Sequence, residues 1–161
     1  EGAFDEMHSL AQRRDEDAVR ALGKMAAEDA VDTLVDFVDE DSNPQLQTVV
    51  FKALGEIGHS DAVQPLANKL VADNDDVRPI AARALGMIGD TRAVDPLADT
   101  LADDEVDTVR AAAAWALRQI GTERALEAAT AAVDDDAYIV QVEGERAADA
   151  LDAGEEAAAT A

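Results

Sequence analysis

Apolar residues recur along this chain at three- and four-residue steps, interrupted by glycine, proline or short runs of acids, which predicts a succession of short amphipathic helices. Phe4, Met7, Leu10 and Ala11 mark the first, over 1–14. The clearest stripe is Val77, Ile80, Ala81, Ala84, Leu85 and Ile88, which ends at Gly89, where a left-handed residue stops a helix. A second stripe follows at once, Val94, Leu97, Ala98 and Leu101, on a helix expected to start at Asp90. Each such pair, a longer helix A and then a helix B, returns along the chain. Leu22, Leu54, Leu85 and Leu117 stand 31 or 32 residues apart, and Ala30-Val31, Ala62-Val63, Ala93-Val94 and Ala125-Leu126 keep the same step.

A period of this size means a solenoid, because one helix pair cannot bury its apolar face alone and stacked neighbours can. The expected organisation is a single domain over 1–153, with repeats at about 15–42, 43–73, 74–103 and 104–134 and a capping helix over 135–153. Residues 154–161 are read as a flexible acidic and alanine tail. In the last helix Leu151 lies 34 residues after Leu117, so its register is expected to have slipped. Pro44, Pro65 and Pro96 sit early in their helices, where few intrahelical donors are lost. Gly55 and Gly86 lie inside the last turn of helix A, at a propensity cost of about 1 kcal/mol each relative to alanine. Close backbone approach between neighbouring helices is the expected compensation.

Composition narrows the chemistry. The chain has 161 residues, a hydrophobic share of 48% and an aromatic share of only 3%, so the core must rest on close contacts between alanine-rich helices. Cysteine is absent, which removes disulfides, zinc–thiolate sites and thiol nucleophiles together. No apolar run reaches the length of a membrane span and no signal-peptide pattern opens the chain, so a cytoplasmic location is expected. The chain opens at Glu1 and not at methionine, which leaves upstream sequence as an expected part of the natural protein.

The formal charge of −23, from 36 acids and 13 bases, has two readings. It can serve a basic partner, and it opposes nucleic acid and anionic lipid. It can also reflect a salt-rich cytoplasm, where screening removes self-repulsion. Lysine is confined to Lys24, Lys52 and Lys69, and the acids lean to aspartate, which favours the second reading and a halophilic archaeal source.

The run from Val77 through Leu101, Val-Arg-x-x-Ala-Ala-x-Ala-Leu-Gly-x-Ile-Gly-Asp-x-x-Ala-Val-x-Pro-Leu-x-x-x-Leu, resembles the HEAT-like repeat of the phycobilisome-lyase type. The resemblance covers Asp15 to Val133. It implies an all-α fold, a right-handed α-solenoid of about four and a half HEAT-like helix-pair repeats, with the B helices lining the concave side. The wider family includes bilin lyase subunits, a di-iron hydroxylase and adaptors without chemistry of their own. The hydroxylase places a His-Glu pair shortly after the Val-Arg. Here Pro79-Ile80 and Ala111-Ala112 stand there, so that metal site is not expected.

Arg78 and Arg110 hold the same repeat position and are expected to bond acids or carbonyls of adjacent loops. His8 and His59 have no ligand spacing, and His59 is placed to start a helix. The loops from B to A carry acids throughout: Asp39, Glu40 and Asp41; Asp73, Asp75 and Asp76; Asp103, Asp104, Glu105 and Asp107; Asp134, Asp135 and Asp136. Stacked at the repeat period they form an acidic ridge, explained by helix capping and dipole complementarity or by cation binding. The outward column of the B helices is Asp32, Asp36, Gln64, Asn68, Asp95, Asp99 and Glu127, a candidate partner-binding face suited to a basic peptide or helix. A second candidate is the outer strip of Met87 and Trp115. Trp115 lies off the core stripe, where earlier repeats have Arg83 and Lys52. It either forms an exposed patch with Met87 or folds over the alanine-rich fourth repeat.

No glycine-rich phosphate loop, serine nucleophile signature or acid–base cluster is present. The expected function is therefore a protein–protein interaction scaffold or adaptor with no catalysis, no cofactor and no metal, whose partner is another protein. The alternative is a lyase- or chaperone-type subunit, or an enzyme, acting on a prosthetic group such as a bilin or a metal. Nucleic-acid binding would need a basic stripe, and the cations are scattered.

Overall fold

The computed structural model describes residues 2–39 and 43–159, and among these every regular element is helical. The A helices are α2 (Glu16–Lys24), α4 (Pro44–Ile57), α6 (Val77–Ile88) and α8 (Asp107–Ile120). The B helices are α3 (Val31–Asp36), α5 (Val63–Asn68), α7 (Val94–Asp103) and α9 (Glu123–Thr130). The helix α1 (Gly2–Gln12) packs on α2 at one end, and α10 (Tyr138–Ala159) closes the other against α8 and α9. The last helix runs past residue 153 to Ala159, while Thr160 and Ala161 lie outside the described residues.

The repeat period is a packing period. Leu22, Leu54, Leu85 and Leu117 on the A helices are all fully buried, and Leu34, Leu66 and Leu97 face them from the B helices. Ala129 holds that B position in the fourth repeat. The B helices of the first three repeats begin in a tight 3-10 turn, so Asp90 and His59 cap that turn and not the α-helix itself. The Asp90 carboxylate accepts from the Arg92 amide at 2.9 Å and the His59 Nδ1 from the Asp61 amide at 3.3 Å.

The compensation for glycine inside helix A is visible at Gly86. A Cβ there would lie 2.7 Å from the Cα of Ala116 and 2.8 Å from the ring of Trp115, so α6 and α8 approach closely only because none is present. Gly23 and Gly55 make the same kind of notch against Ala53 and Ala84. The column then breaks. Its next positions are Arg118 in α8 and the exposed Asp149 in α10, a polar outer surface that ends the stack.

The expected register slip in the last helix does not occur. Val140, Gly144 and Ala147 are buried at the places of Val109, Ala113 and Ala116, a constant step of 31 residues, and Leu151 is only half-buried. The small residues at these places let α10 settle on the end of the fourth B helix, which hides the register from any search for large apolar side chains. A Cβ on Gly144 would lie 2.4 Å from the Val133 amide nitrogen.

Gly58, Gly89 and Gly121 end their A helices in the left-handed region, with φ of 75°, 74° and 69°. The corresponding residue of the first repeat is Ala26, held at φ 49° and exposed. A side chain in this conformation costs roughly 1 kcal/mol. Ala26→Gly is therefore expected to raise stability by about 0.5 kcal/mol or more, the relieved strain exceeding the added chain entropy, as checked by urea unfolding.

Candidate functional site

Two faces carry the sequence-derived candidates, and the loops between repeats set their geometry. Gln47, Arg78, Arg110 and Gln141 occupy one column in the first turn of α4, α6, α8 and α10. Each donates to a carbonyl ahead of its own helix: Val38 at 3.2 Å, Ala72 at 3.0 Å, Asp104 at 3.0 Å and Asp135 at 2.6 Å. The two arginines also reach the next loop. Arg78 holds Asp104 through two bonds of 2.7 and 3.1 Å, and Arg110 holds Asp135 through two of 2.8 and 2.9 Å. These are forked guanidinium–carboxylate pairs, the strong form of the interaction. Asp75 and Asp136 add further contacts.

These side chains are nearly buried, 12% exposed for both arginines and 8% and 11% for Asp104 and Asp135. The hydrogen bond from Arg110 is the main cause that holds the Asp135 carboxyl below its ordinary range, and the reciprocal bonds push both guanidinium groups up. Part of the acidic ridge is therefore internal ion pairing between repeats, as expected for Arg78 and Arg110. Glu40 and Asp41 of the first acidic loop lie outside the described residues. Among the described residues no group of three His, Asp or Glu side chains could hold a metal ion.

All seven residues of the B-helix column, Asp32, Asp36, Gln64, Asn68, Asp95, Asp99 and Glu127, are exposed. They are not equivalent. Gln64 bonds Asn68 at 2.9 Å, and Asp95 is tied to Arg124 of the following repeat. At Asp99 the column opens into a groove of about 640 Å³ between the second and third repeats. Its apolar lining includes Leu70, Pro96, Val106 and Val71, the last 84% exposed. Its acidic rim includes Asp73, Asp99, Asp103 and Glu105, none paired with a cation among the described residues. The groove was not legible from the column alone. Val71 was the available signal, a large apolar residue falling between the last buried position of helix B and the acidic loop.

On the A-helix face Met87 and Trp115 each fold back onto the preceding A helix. The Met87 sulfur lies 3.2 Å from the Cβ position of Gly55, and Trp115 covers Gly86, so each side chain fills the rim of a glycine notch. Met87 remains 43% exposed, whereas Trp115 is half-buried with the Arg83 guanidinium 5.9 Å above its ring. A cleft beside Trp115 is lined by Arg83, Thr108, Ala111, Ile139 and Glu143. Met87 is not part of it. The placement of Ile139 and Glu143 there follows from the true register of α10, which the apolar pattern had obscured.

A family profile described as HEAT repeats matches residues 14–78 and 65–152. No curated protein matches the chain. Among solved structures, the complex of CpcE and CpcF of phycocyanin lyase from Nostoc sp. PCC7120 superposes with a TM-score of 0.68 at 26% identity, over 84% of this chain and 58% of that one. The chain thus spans little more than half the length of that structure. An engineered protein gives a TM-score of 0.60 at 20% identity, over 92% of this chain and 78% of that one. A designed armadillo repeat protein in complex with the peptide (KR)4 gives 0.56 at 20% identity, over 89% and 77%. At such identities these last two speak for the fold alone. No helix among the described residues is long and apolar enough to cross a membrane. The profile match over most of the length, together with the stacked helix pairs, places this chain in the HEAT-repeat family.

Proposed function

We propose that this protein is an interaction scaffold whose B-helix face receives a basic, amphipathic segment of a partner protein. The groove at Asp99 carries the reading. It joins the exposed Val71 and the half-buried Pro96 to four carboxylates without cation partners among the described residues, so a segment bearing cations beside apolar side chains would find both of its needs met there. Calorimetric titration with a synthetic peptide of alternating arginine and leucine tests this. Asp99→Lys/Asp103→Lys should weaken binding at least about tenfold, since two attractive charges become repulsive. Equal affinity of the two proteins would refute the groove.

A second reading, a subunit that acts with a partner on a prosthetic group, is supported by the 26% identity to the CpcE and CpcF complex. An absorbing group that copurifies in near-stoichiometric amount would favour it.

The general acidity is proposed as salt adaptation. With a charge of −23, self-repulsion is long-ranged at low salt and falls as the Debye length shortens. The melting temperature should therefore rise steadily with KCl into the molar range, and a flat or falling curve would rule the proposal out.

A further inference from the structure

We infer that the cleft beside Trp115, on the A-helix face and apart from the B-helix groove, docks a partner segment that presents a carboxylate next to an apolar side chain. The cleft has a volume of about 210 Å³, enough for one side chain, and lies where α6, α8 and α10 meet. Its apolar walls are the half-buried Trp115, Ala111 and Ile139, the last 45% exposed. Its charge runs against the composition of the chain. Glu143 is the one carboxylate in the lining, and it already accepts from Arg118 at 3.3 Å and from Arg146 at 2.6 Å. Arg83 stands over the Trp115 ring and pairs with no carboxylate among the described residues. In a protein with 36 acids and 13 bases, the one carboxylate of this cleft is already held by two guanidinium groups, and a third, Arg83, lines the cleft beside it.

A guanidinium over an aromatic face is oriented by the ring and keeps its in-plane N–H donors for a carboxylate, which they meet in a fork. An apolar neighbour on the same segment would fill the space against Trp115 and Ile139. The complementary partner is thus an acidic, amphipathic peptide segment. A nucleic acid brings a long tract of negative charge against the surrounding acidic surface, and is disfavoured.

Trp115 is the single tryptophan, so its emission reports on this cleft alone. The full chain is titrated with a synthetic peptide of alternating aspartate and leucine at about 0.15 M KCl, where the Debye length is about 8 Å. The expected result is a saturable shift of the emission that is absent with the asparagine–leucine analogue. Arg83→Glu, an exposed position, should weaken the interaction at least about tenfold, the scale of a lost charge-assisted hydrogen bond. Ile139→Ser should weaken it as well, through the apolar wall. The inference is overturned by no shift, by an equal response to the asparagine analogue, by unchanged affinity in Arg83→Glu, or by an oligonucleotide that displaces the peptide.

Discussion

Arg110→Ala is expected to lower the unfolding free energy by about 3 kcal/mol, the largest effect of any polar substitution in the chain. The arginine joins three segments. It donates to the carbonyls of Asp104 and Glu105 ahead of its own helix and to Asp135 and Asp136 in the next loop. Removing it leaves the Asp135 carboxylate 11% exposed and without its fork. Urea unfolding checks the loss. Arg92→Ala is the control: the Arg92–Asp90 pair is well exposed on the arginine side, so its loss should leave the unfolding midpoint nearly unchanged. The effect has a definite pH dependence. Because the folded Asp135 is held below its ordinary range, its pairing stabilises the fold fully above its unfolded value near pH 4, and that contribution fades as the pH falls through the lower folded value. The gap between wild type and Arg110→Ala should be constant from pH 7 to 5 and narrow below about pH 4.

Gly144→Ala is expected to cost about 2 kcal/mol although alanine is the better helix former. The new methyl carbon would sit 2.4 Å from the Val133 nitrogen and 2.7 Å from the Ala132 carbonyl carbon, both backbone atoms that cannot turn aside. Overpacking of this kind outweighs the gain of about 1 kcal/mol in propensity. The same helix supplies the opposite case. A Cβ on Gly154 meets nothing within 4 Å, so Gly154→Ala should stabilise by up to about 1 kcal/mol. The pair separates packing from propensity within α10, and circular dichroism melts of the two variants read it directly.

The sequence carried the fold far because the repeat multiplies each signal. The end of α4 at Ile57, the left-handed glycines and the buried leucine columns all stand at the period, and each copy supports the others. The period served less well where a copy was built from small residues. In α10 the buried positions are Val140, Gly144 and Ala147, and the larger Leu151 drew the alignment away from them. Gln141, in line with Arg110, was the signal that kept the register. The B-helix column was legible as an exposed face, since outward positions follow from helical spacing. The pairing of Asp95 with Arg124 and the groove at Val71 were not, because they depend on how two repeats are offset in space. Trp115 was placed correctly off the core stripe, but the notch it covers exists only through the approach of α8 to Gly86.

The arginine forks and the glycine notches tie each repeat to the next, and such ties set the spacing of the B helices on which the proposed scaffold role rests. The most direct test of that role is affinity capture with the full chain and with Asp99→Lys/Asp103→Lys, from the lysate of its own source at that cell's salt. A protein held in near-stoichiometric amount by the wild type and released by the variant is the predicted result. Equal capture by both proteins, or no protein at all beside a coloured or metal-bearing product, would contradict it.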